Sequence, residues 1–385
     1  MSRFLVLTIL VACRPSSGPI PASPGPPPAP TIERDFTQAE RMLELLSAQG
    51  SPTAAQLDGV MATRGTQLIL EQLNVSRDVT AAQYRTVLAA AIVEAAPALS
   101  PTDGGERAAR GVRVLREDVW PALHWGAANV GVLGERIAAL RTLDFASVTG
   151  LALEWLPDRT HPPVRLHVIM GGRAGADSTA PDVYFDVLAT SYKASVGMMK
   201  YPTTHWTTTF FAHEIHHVGL APGIARIRSA LVLRDAEERA FDLVKMLVTE
   251  GSATYFINGE RELGRLMRDP GYSASLADPD RLIATLETLL VDVVDHGLAG
   301  EPYAQALTPR AVAGIYSGGA LMFDVIYRVG GRARADAVMR DPRQLLGEYN
   351  AAAAVLEARG EHRRPIDGAL AARIARLGGP RPASS

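Results

Sequence analysis

Residues 207–218 read TTTFFAHEIHHV, and this stretch determines how the rest of the chain is interpreted. His213 and His217 are four positions apart, so on an α-helix they lie about 40° apart on one face. Two imidazoles placed in this way can bind one zinc ion at about 2.0–2.1 Å each. Glu214 lies about 60° from His217, where its carboxylate can accept a proton from water at the metal without being a ligand. The stretch therefore predicts a helix with a metal-binding face and a base beside it.

The flanking residues indicate where this helix begins and ends. A threonine at 207, 208 or 209 is a suitable N-cap, and Gly219 and Pro222 predict the carboxyl end. Apolar residues on both faces predict that the helix is buried, so its histidines and glutamate need partners. The alternative is a core helix whose histidines are incidental. His216 lies about 60° from His213 and 100° from His217, and we interpret it as a packed residue rather than a ligand, with a supporting role as the alternative.

A third metal ligand is expected downstream of the motif, because catalytic zinc usually has three protein ligands. The metzincin continuation is excluded, since leucine and glycine occupy the positions three and six residues after His217. Positions 236, 240, 243, 247, 250 and 254 step by four and three residues and trace one face of a helix. Glu250 continues this apolar face, and a buried carboxylate is costly unless it is paired or bound to a metal. We expect Glu250 to be the ligand, with Glu238 as the alternative, and Gly251 permits close approach of another backbone.

The motif on one helix and a glutamate on a later helix resemble the gluzincin metallopeptidases, of which thermolysin is a member. The strings HEIHH and TEGSATYF resemble bacterial families described as zinc-dependent peptidases, and the resemblance covers about residues 207–256. It implies a zincin-like fold, one catalytic zinc ion, and a peptide or protein substrate. It also implies His213, His217 and Glu250 as zinc ligands and Glu214 as the general base.

Other site residues are less well determined by the sequence. Thermolysin-like enzymes have an acidic residue four positions after the glutamate ligand, but here that position is Thr254. The hydrogen-bond partner of His213 is therefore unassigned. Tyr316, in the string IYSGG, is our candidate donor for the developing oxyanion, and Tyr255 and His205 are weaker candidates. The alternative for Tyr316 is a buried tyrosine bonded to backbone.

The remaining patterns predict an α+β fold that is mostly helical, with a small β-sheet. Residues 31–160 are predicted to form a helical region, and residues 161–378 the zincin-like catalytic domain. Strands are predicted at 164–170 and 182–189, and the second could be a sheet edge that binds an extended peptide. Helices are predicted at 36–50, 80–96, 130–143, 235–256, 279–295 and 309–329.

The amino terminus predicts export and a lipid anchor. Residues 1–12 combine Arg3 with a short apolar stretch and resemble a lipoprotein signal peptide that ends before Cys13, the single cysteine. Residues 13–30 are a proline-rich linker that forms no core. The expectation is a bacterial lipoprotein lipidated at Cys13, and Arg14 resembles the sorting signal for the outer membrane, facing the periplasm or the cell surface. A plain signal peptide cleaved elsewhere is the alternative.

Composition narrows the classes of function. The chain has 385 residues, a formal net charge of −2, 47% hydrophobic and 21% charged residues, which is typical of a globular protein. The near-zero charge gives no reason to expect nucleic-acid binding, and one cysteine excludes an intrachain disulfide. Residues 379–385 are predicted to be a disordered tail. The sequence favours a membrane-tethered zinc hydrolase, and among hydrolases it favours a peptidase. The alternatives are a non-catalytic zinc-containing lipoprotein and a zinc hydrolase of non-peptide amides or esters.

Overall fold

A computed structural model describes residues 32–380 except 49, 78, 94–95, 101–104, 173–175, 180, 199–202, 301 and 304–308. The described part is mostly helical with one small sheet, which confirms the predicted α+β class. The signal peptide, Cys13 and the linker to residue 30 lie outside the described residues. Within the part that is described, no helix combines the length and apolarity needed to span a bilayer.

The first part of the chain is a short strand followed by helices. The elements are β1 (Ile32–Asp35), α1 (Thr37–Ser47), α2 (Ala54–Met61), α3 (Arg64–Arg77), α4 (Ala81–Ile92), α5 (Glu106–Val114), a π-helical turn (Leu115–Val119), α6 (Trp120–Ala128), α7 (Val130–Arg141) and α8 (Phe145–Glu154). The predicted helices at 36–50, 80–96 and 130–143 correspond to α1, α4 and α7. The strand β1 corrects the expectation of helix throughout this region. Its four residues are too few to show an alternating pattern, and pairing with another strand defines it.

The sheet joins this first part to the remainder of the chain. Its strands are β1, β2 (Val164–Ile169), β3 (Ala176–Thr179) and β4 (Asp182–Asp186), in the order β1-β2-β4-β3. β1, β2 and β4 are parallel, and β3 is antiparallel to β4. The predicted strand at 182–189 therefore ends at 186, and it is an interior strand rather than an edge. It ends because the Asp186 side chain accepts a hydrogen bond from the Ala189 amide and caps the next helix.

Helices make up most of the second part. They are α9 (Val187–Ser195), α10 (Thr204–Ala230), α11 (Asp235–Ala253) with a π-helical turn (Thr254–Asn258), α12 (Leu263–Leu266), α13 (Pro270–Leu276), α14 (Pro279–Val294), α15 (Pro309–Arg340), a 3-10 turn (Pro342–Gln344), α16 (Leu345–Glu357) and α17 (Gly368–Ala375). A two-stranded ribbon pairs β5 (Leu231–Val232) with β6 (Gly379–Pro380). The first two residues of the predicted tail are thus in a strand, and residues 381–385 lie outside the described part.

Aromatic packing fixes α10 against the sheet. Phe185 of β4 contacts Phe210 and Phe211, with ring centroids 5.4 and 5.2 Å apart. Phe145 of α8 contacts Phe211 from another side, at 5.6 Å. Phe185 and Phe211 are almost completely buried. Because large aromatic side chains contribute much of the apolar area buried in a core, these contacts hold in place the segment directly before His213, Glu214 and His217, the residues that form an HExxH motif.

Candidate metal centre

The helix α10 is longer at both ends than the sequence predicts. Thr203 is its N-cap, and its side chain accepts a hydrogen bond from the Trp206 amide at 3.1 Å. The helix then continues through Gly219 and Pro222, which lies inside it at the cost of one backbone hydrogen bond. Gly219 serves packing rather than termination, because a Cβ there would lie 2.3 Å from Leu156 Cδ1. The second half of α10, absent from the prediction, forms one wall of the cleft described below.

The structure brings the three predicted metal ligands together. His213 Nε2 lies 3.3 Å and His217 Nε2 lies 3.2 Å from Glu250 Oε2. One donor atom from each of the three residues lies within 4.8 Å of the other two. The side chains of His217 and Glu250 are 14% and 18% exposed, so the cluster is buried on most sides and reaches solvent on one.

The donor set fits zinc. Two atoms that each lie about 2.1 Å from one ion at a tetrahedral angle are about 3.4 Å apart, close to both observed nitrogen–oxygen distances. Two imidazole nitrogens and one carboxylate oxygen are ligands that zinc accepts, and three protein ligands leave a fourth position for water or substrate. The residues that would hold the ion are therefore His213, His217 and Glu250.

The charge distribution suits a cation at this point. Burial raises the pKa of Glu250, but the imidazoles of His217 and His213 outweigh burial and hold it well below its usual value. The carboxylate is thus ionised in the folded protein. Complete burial and the same two imidazoles lower the pKa of His216, so its ring is neutral at neutral pH.

A close contact between two helices places Tyr316 beside the ligands. A Cβ on Gly251 of α11 would lie 2.5 Å from Gly319 Cα of α15, so the two backbones approach as only glycines allow. Tyr316, one turn before Gly319, stacks on the His213 ring with centroids 6.2 Å apart and lines the same cleft as Glu250. Burial, followed by the carboxylates of Glu250 and Glu214, raises the pKa of Tyr316, so its hydroxyl stays protonated.

A cleft of about 470 Å³ opens from the cluster and runs between α10 and α11. The residues that line its metal end are Glu214, His217, Glu250 and Tyr316. At the far end Arg228 of α10 pairs with Glu238 of α11, with Nε and Oε1 2.8 Å apart. The cleft thus joins Glu214, His217, Glu250 and Tyr316 in one space that another molecule can enter.

A family model described as "Putative zinc dependent peptidase (DUF5700)" matches residues 136–357, more than half of the chain. The chain belongs to this DUF5700 family. The match contains all of α8 to α16, and therefore both ligand-bearing helices and α15. The DUF5700 description as zinc-dependent agrees with the His-His-Glu cluster, and zinc is the cofactor that both support. No curated protein and no solved structure matches the chain.

The structure separates the alternative site residues from the cluster. Glu238, the alternative ligand, pairs with Arg228. Tyr255 is buried, and burial and then the Asp324 carboxylate raise its pKa. His205 is on the first turn of α10, where its Nε2 lies 2.8 Å from Arg265. None of these three is among the described residues that form the metal cluster.

Two features of the site were not predicted from the sequence. His216 reaches α11 and contacts Ser252, a pairing that helical spacing cannot reveal because the two residues are on different helices. Tyr272 of α13 accepts a hydrogen bond from Asn258 at 3.2 Å, and burial, followed by the carboxylates of Asp269 and Glu250, raises its pKa. No motif surrounds Tyr272, so the sequence contained no signal for it.

Proposed function

We propose that this chain is a zinc-dependent peptidase of the gluzincin type, with Glu214 as its general base. The observation that carries the proposal is the convergence of two imidazole nitrogens and one carboxylate oxygen at the end of a cleft that Glu214 also lines. A structural zinc site is closed by protein ligands and needs no base, whereas this cluster has three ligands and adjoins a cleft. The family description supports the zinc-dependent peptidase class.

In the proposed reaction each residue of the cleft has one role. His213, His217 and Glu250 would hold zinc, which would lower the pKa of a water molecule and polarise a carbonyl oxygen. The Glu214 carboxylate accepts a proton from the attacking water and returns it to the leaving amine. Tyr316, kept protonated by its surroundings, donates a hydrogen bond to the oxygen that gains charge during attack.

The experiment that tests this proposal compares metal content and peptide hydrolysis in matched variants. The purified chain is loaded with zinc and screened against a library of quenched fluorescent peptides and a parallel library of esters. Glu214→Gln should retain about one zinc per chain and lose hydrolysis, because the amide cannot accept the proton. His217→Ala and Glu250→Ala should lose zinc. Glu71→Gln, an exposed residue paired with Arg64, is the control and should change neither property.

Each other outcome points to a different function. Full activity in Glu214→Gln would remove the proposed mechanism. Ester cleavage without peptide cleavage would identify a non-peptide hydrolase. Stoichiometric zinc with no hydrolysis of either library would favour the non-catalytic zinc protein.

We also propose that the chain is an exported bacterial lipoprotein, held at the outer membrane through Cys13. The support is the sequence pattern of residues 1–14 alone. Cells that express the chain should yield a membrane fraction in which the protein carries acyl chains by mass spectrometry. Cys13→Ala should release the protein from that fraction, and an unacylated, membrane-free wild type would contradict the anchor.

A further inference from the structure

His216 and Ser252 form a buried hydrogen bond between the two helices that carry the metal ligands. His216 Nε2 lies 2.9 Å from Ser252 Oγ. Both residues have no exposed surface. His216 is adjacent to His217 in α10, and Ser252 is two positions after Glu250 in α11. The bond therefore connects the two helices within one turn of their metal ligands.

The Ser252 hydroxyl also contacts its own helix. It donates to the Thr249 carbonyl, one turn earlier in α11, at 3.2 Å. Ser252 Oγ thus lies between a backbone carbonyl of α11 and His216 Nε2 of α10. An imidazole nitrogen and a hydroxyl fixed to its own helix make a directional link, which constrains rotation of α11 relative to α10.

The Nδ1 atoms of the two predicted ligand histidines meet no protein hydrogen-bond partner. Metal-binding histidines generally donate their second ring N–H to a carboxylate, a carbonyl or water. Here the Nδ1 atoms of His213 and His217 are buried and have no hydrogen-bond partner among the described residues. The contacts that hold α10 against α11 therefore contribute to the orientation of the ligand set.

We propose that His216 and Ser252 are positioning residues for the metal centre. Their hydrogen bond sets the rotation and spacing of α11 against α10, so that Glu250 Oε2 meets both ligand nitrogens. Neither residue is a ligand, and neither contacts the substrate. This inference rests on the proposed function, because it assigns a purpose to the link only if the cluster binds zinc.

The test measures zinc affinity rather than activity. Ser252→Ala removes the hydroxyl but favours the helix, so the variant is expected to fold. Its dissociation constant for zinc, measured by competition with a chromophoric chelator, should rise about 10-fold, the lower end of the range for groups that hydrogen-bond a ligand directly, because this link acts through the two helices. Thr66→Ala is the matched control. Thr66 of α3 is equally buried, and its hydroxyl donates a hydrogen bond to the Val60 carbonyl of α2 at 2.9 Å. It should leave zinc affinity unchanged.

A second pair of variants separates positioning from packing. His216→Gln places an amide nitrogen near the position of Nε2 and should bind zinc more tightly than His216→Leu, which fills similar space without a donor. Visible absorption of the cobalt-substituted protein should shift in Ser252→Ala, because the ligand geometry changes. Wild-type zinc affinity in Ser252→Ala, or equal affinities for the glutamine and leucine variants, would overturn the inference alone. A wild-type chain that binds no zinc would overturn the proposed function as well.

Discussion

Substitution of Gly251 by alanine tests whether the contact between α11 and α15 builds the site. A Cβ at this position would lie 2.5 Å from both Cα and the carbonyl carbon of Gly319, and ordinary contact begins at 3.4 Å. The neighbouring atoms belong to a helix backbone, which cannot rotate away as a side chain can. The helices must therefore separate by about 0.9 Å at this point, as the difference between those distances requires.

The expected cost is worked from two opposing effects. Overpacking of a buried contact costs about 1–3 kcal/mol, and rigid backbone on both sides favours the upper value. Alanine gains about 1 kcal/mol of helix propensity over glycine. The net loss in the free energy of unfolding should be about 2 kcal/mol. Because Tyr316 is fixed to the displaced helix, its misplacement by nearly 1 Å should also lower the rate of hydrolysis about 100-fold.

Urea unfolding of the zinc-free chain measures the stability, and hydrolysis of a peptide found in the screen measures the rate. Gly347→Ala is the control, since it is also within a helix but a Cβ there meets nothing within 4 Å. It should stabilise the protein by about 0.4–1 kcal/mol. If both alanine variants are stabilised equally and Gly251→Ala keeps the wild-type rate, the reasoning from the close contact is refuted.

Three further results are expected. Removal of zinc by a chelator should lower the melting temperature, because zinc at about 100 times its dissociation constant adds about 2.7 kcal/mol to the free energy of unfolding. An unchanged melting temperature would argue against a zinc site in the folded protein. Burial raises the pKa of Asp182, but hydrogen bonds from His167 and Arg64 outweigh burial and lower it from 3.8. The resulting stabilisation is present above the pKa of Asp182 in the unfolded chain and is lost as pH falls through its lower pKa in the folded protein. Asp182→Asn should therefore flatten the acid side of a plot of the urea midpoint against pH. Parallel curves for the variant and the wild type would contradict this prediction. Gly219→Ala should destabilise by up to about 2 kcal/mol, because its clash with Leu156 costs about 1–3 kcal/mol and alanine regains about 1 kcal/mol of helix propensity. Leu156→Ala should cost less in that background than in the wild type, and additive effects would exclude the clash.

The sequence predicted the site best where side chains that can bind a metal also follow helical spacing. His213, Glu214 and His217 are defined by spacing within one helix, so helical geometry alone places them together. Glu250 was predicted because a carboxylate continues an apolar face, and the structure brings its oxygen to both histidines. Gly251 was expected to allow close approach of a backbone, and that backbone is Gly319.

The sequence pattern did not show how packing and capping contacts set the ends of α10 and β4. Gly219 and Pro222 normally end helices, but packing of Gly219 against Leu156 favours continuation of α10. Residues 182–189 were predicted to form one strand, yet a side-chain cap at Asp186 starts a helix instead. Propensity alone cannot decide the first case, because Leu156 is remote from Gly219 in the chain, and in the second a cap three residues away outweighs the strand propensity of the residues after Asp186.

The pairing of β1 with β2 has a consequence for where this protein can be divided. The family match begins at residue 136, whereas β1 comes from residues 32–35 and supplies the parallel neighbour of β2. A fragment cut at the family boundary would expose the amide and carbonyl row of β2, an unpaired edge of the kind that recruits other chains into aggregates. A relative that begins at that boundary must cover the same row with another segment or a second copy. The stretch that the family model matches and the smallest independently folding unit of this protein are therefore expected to differ in extent.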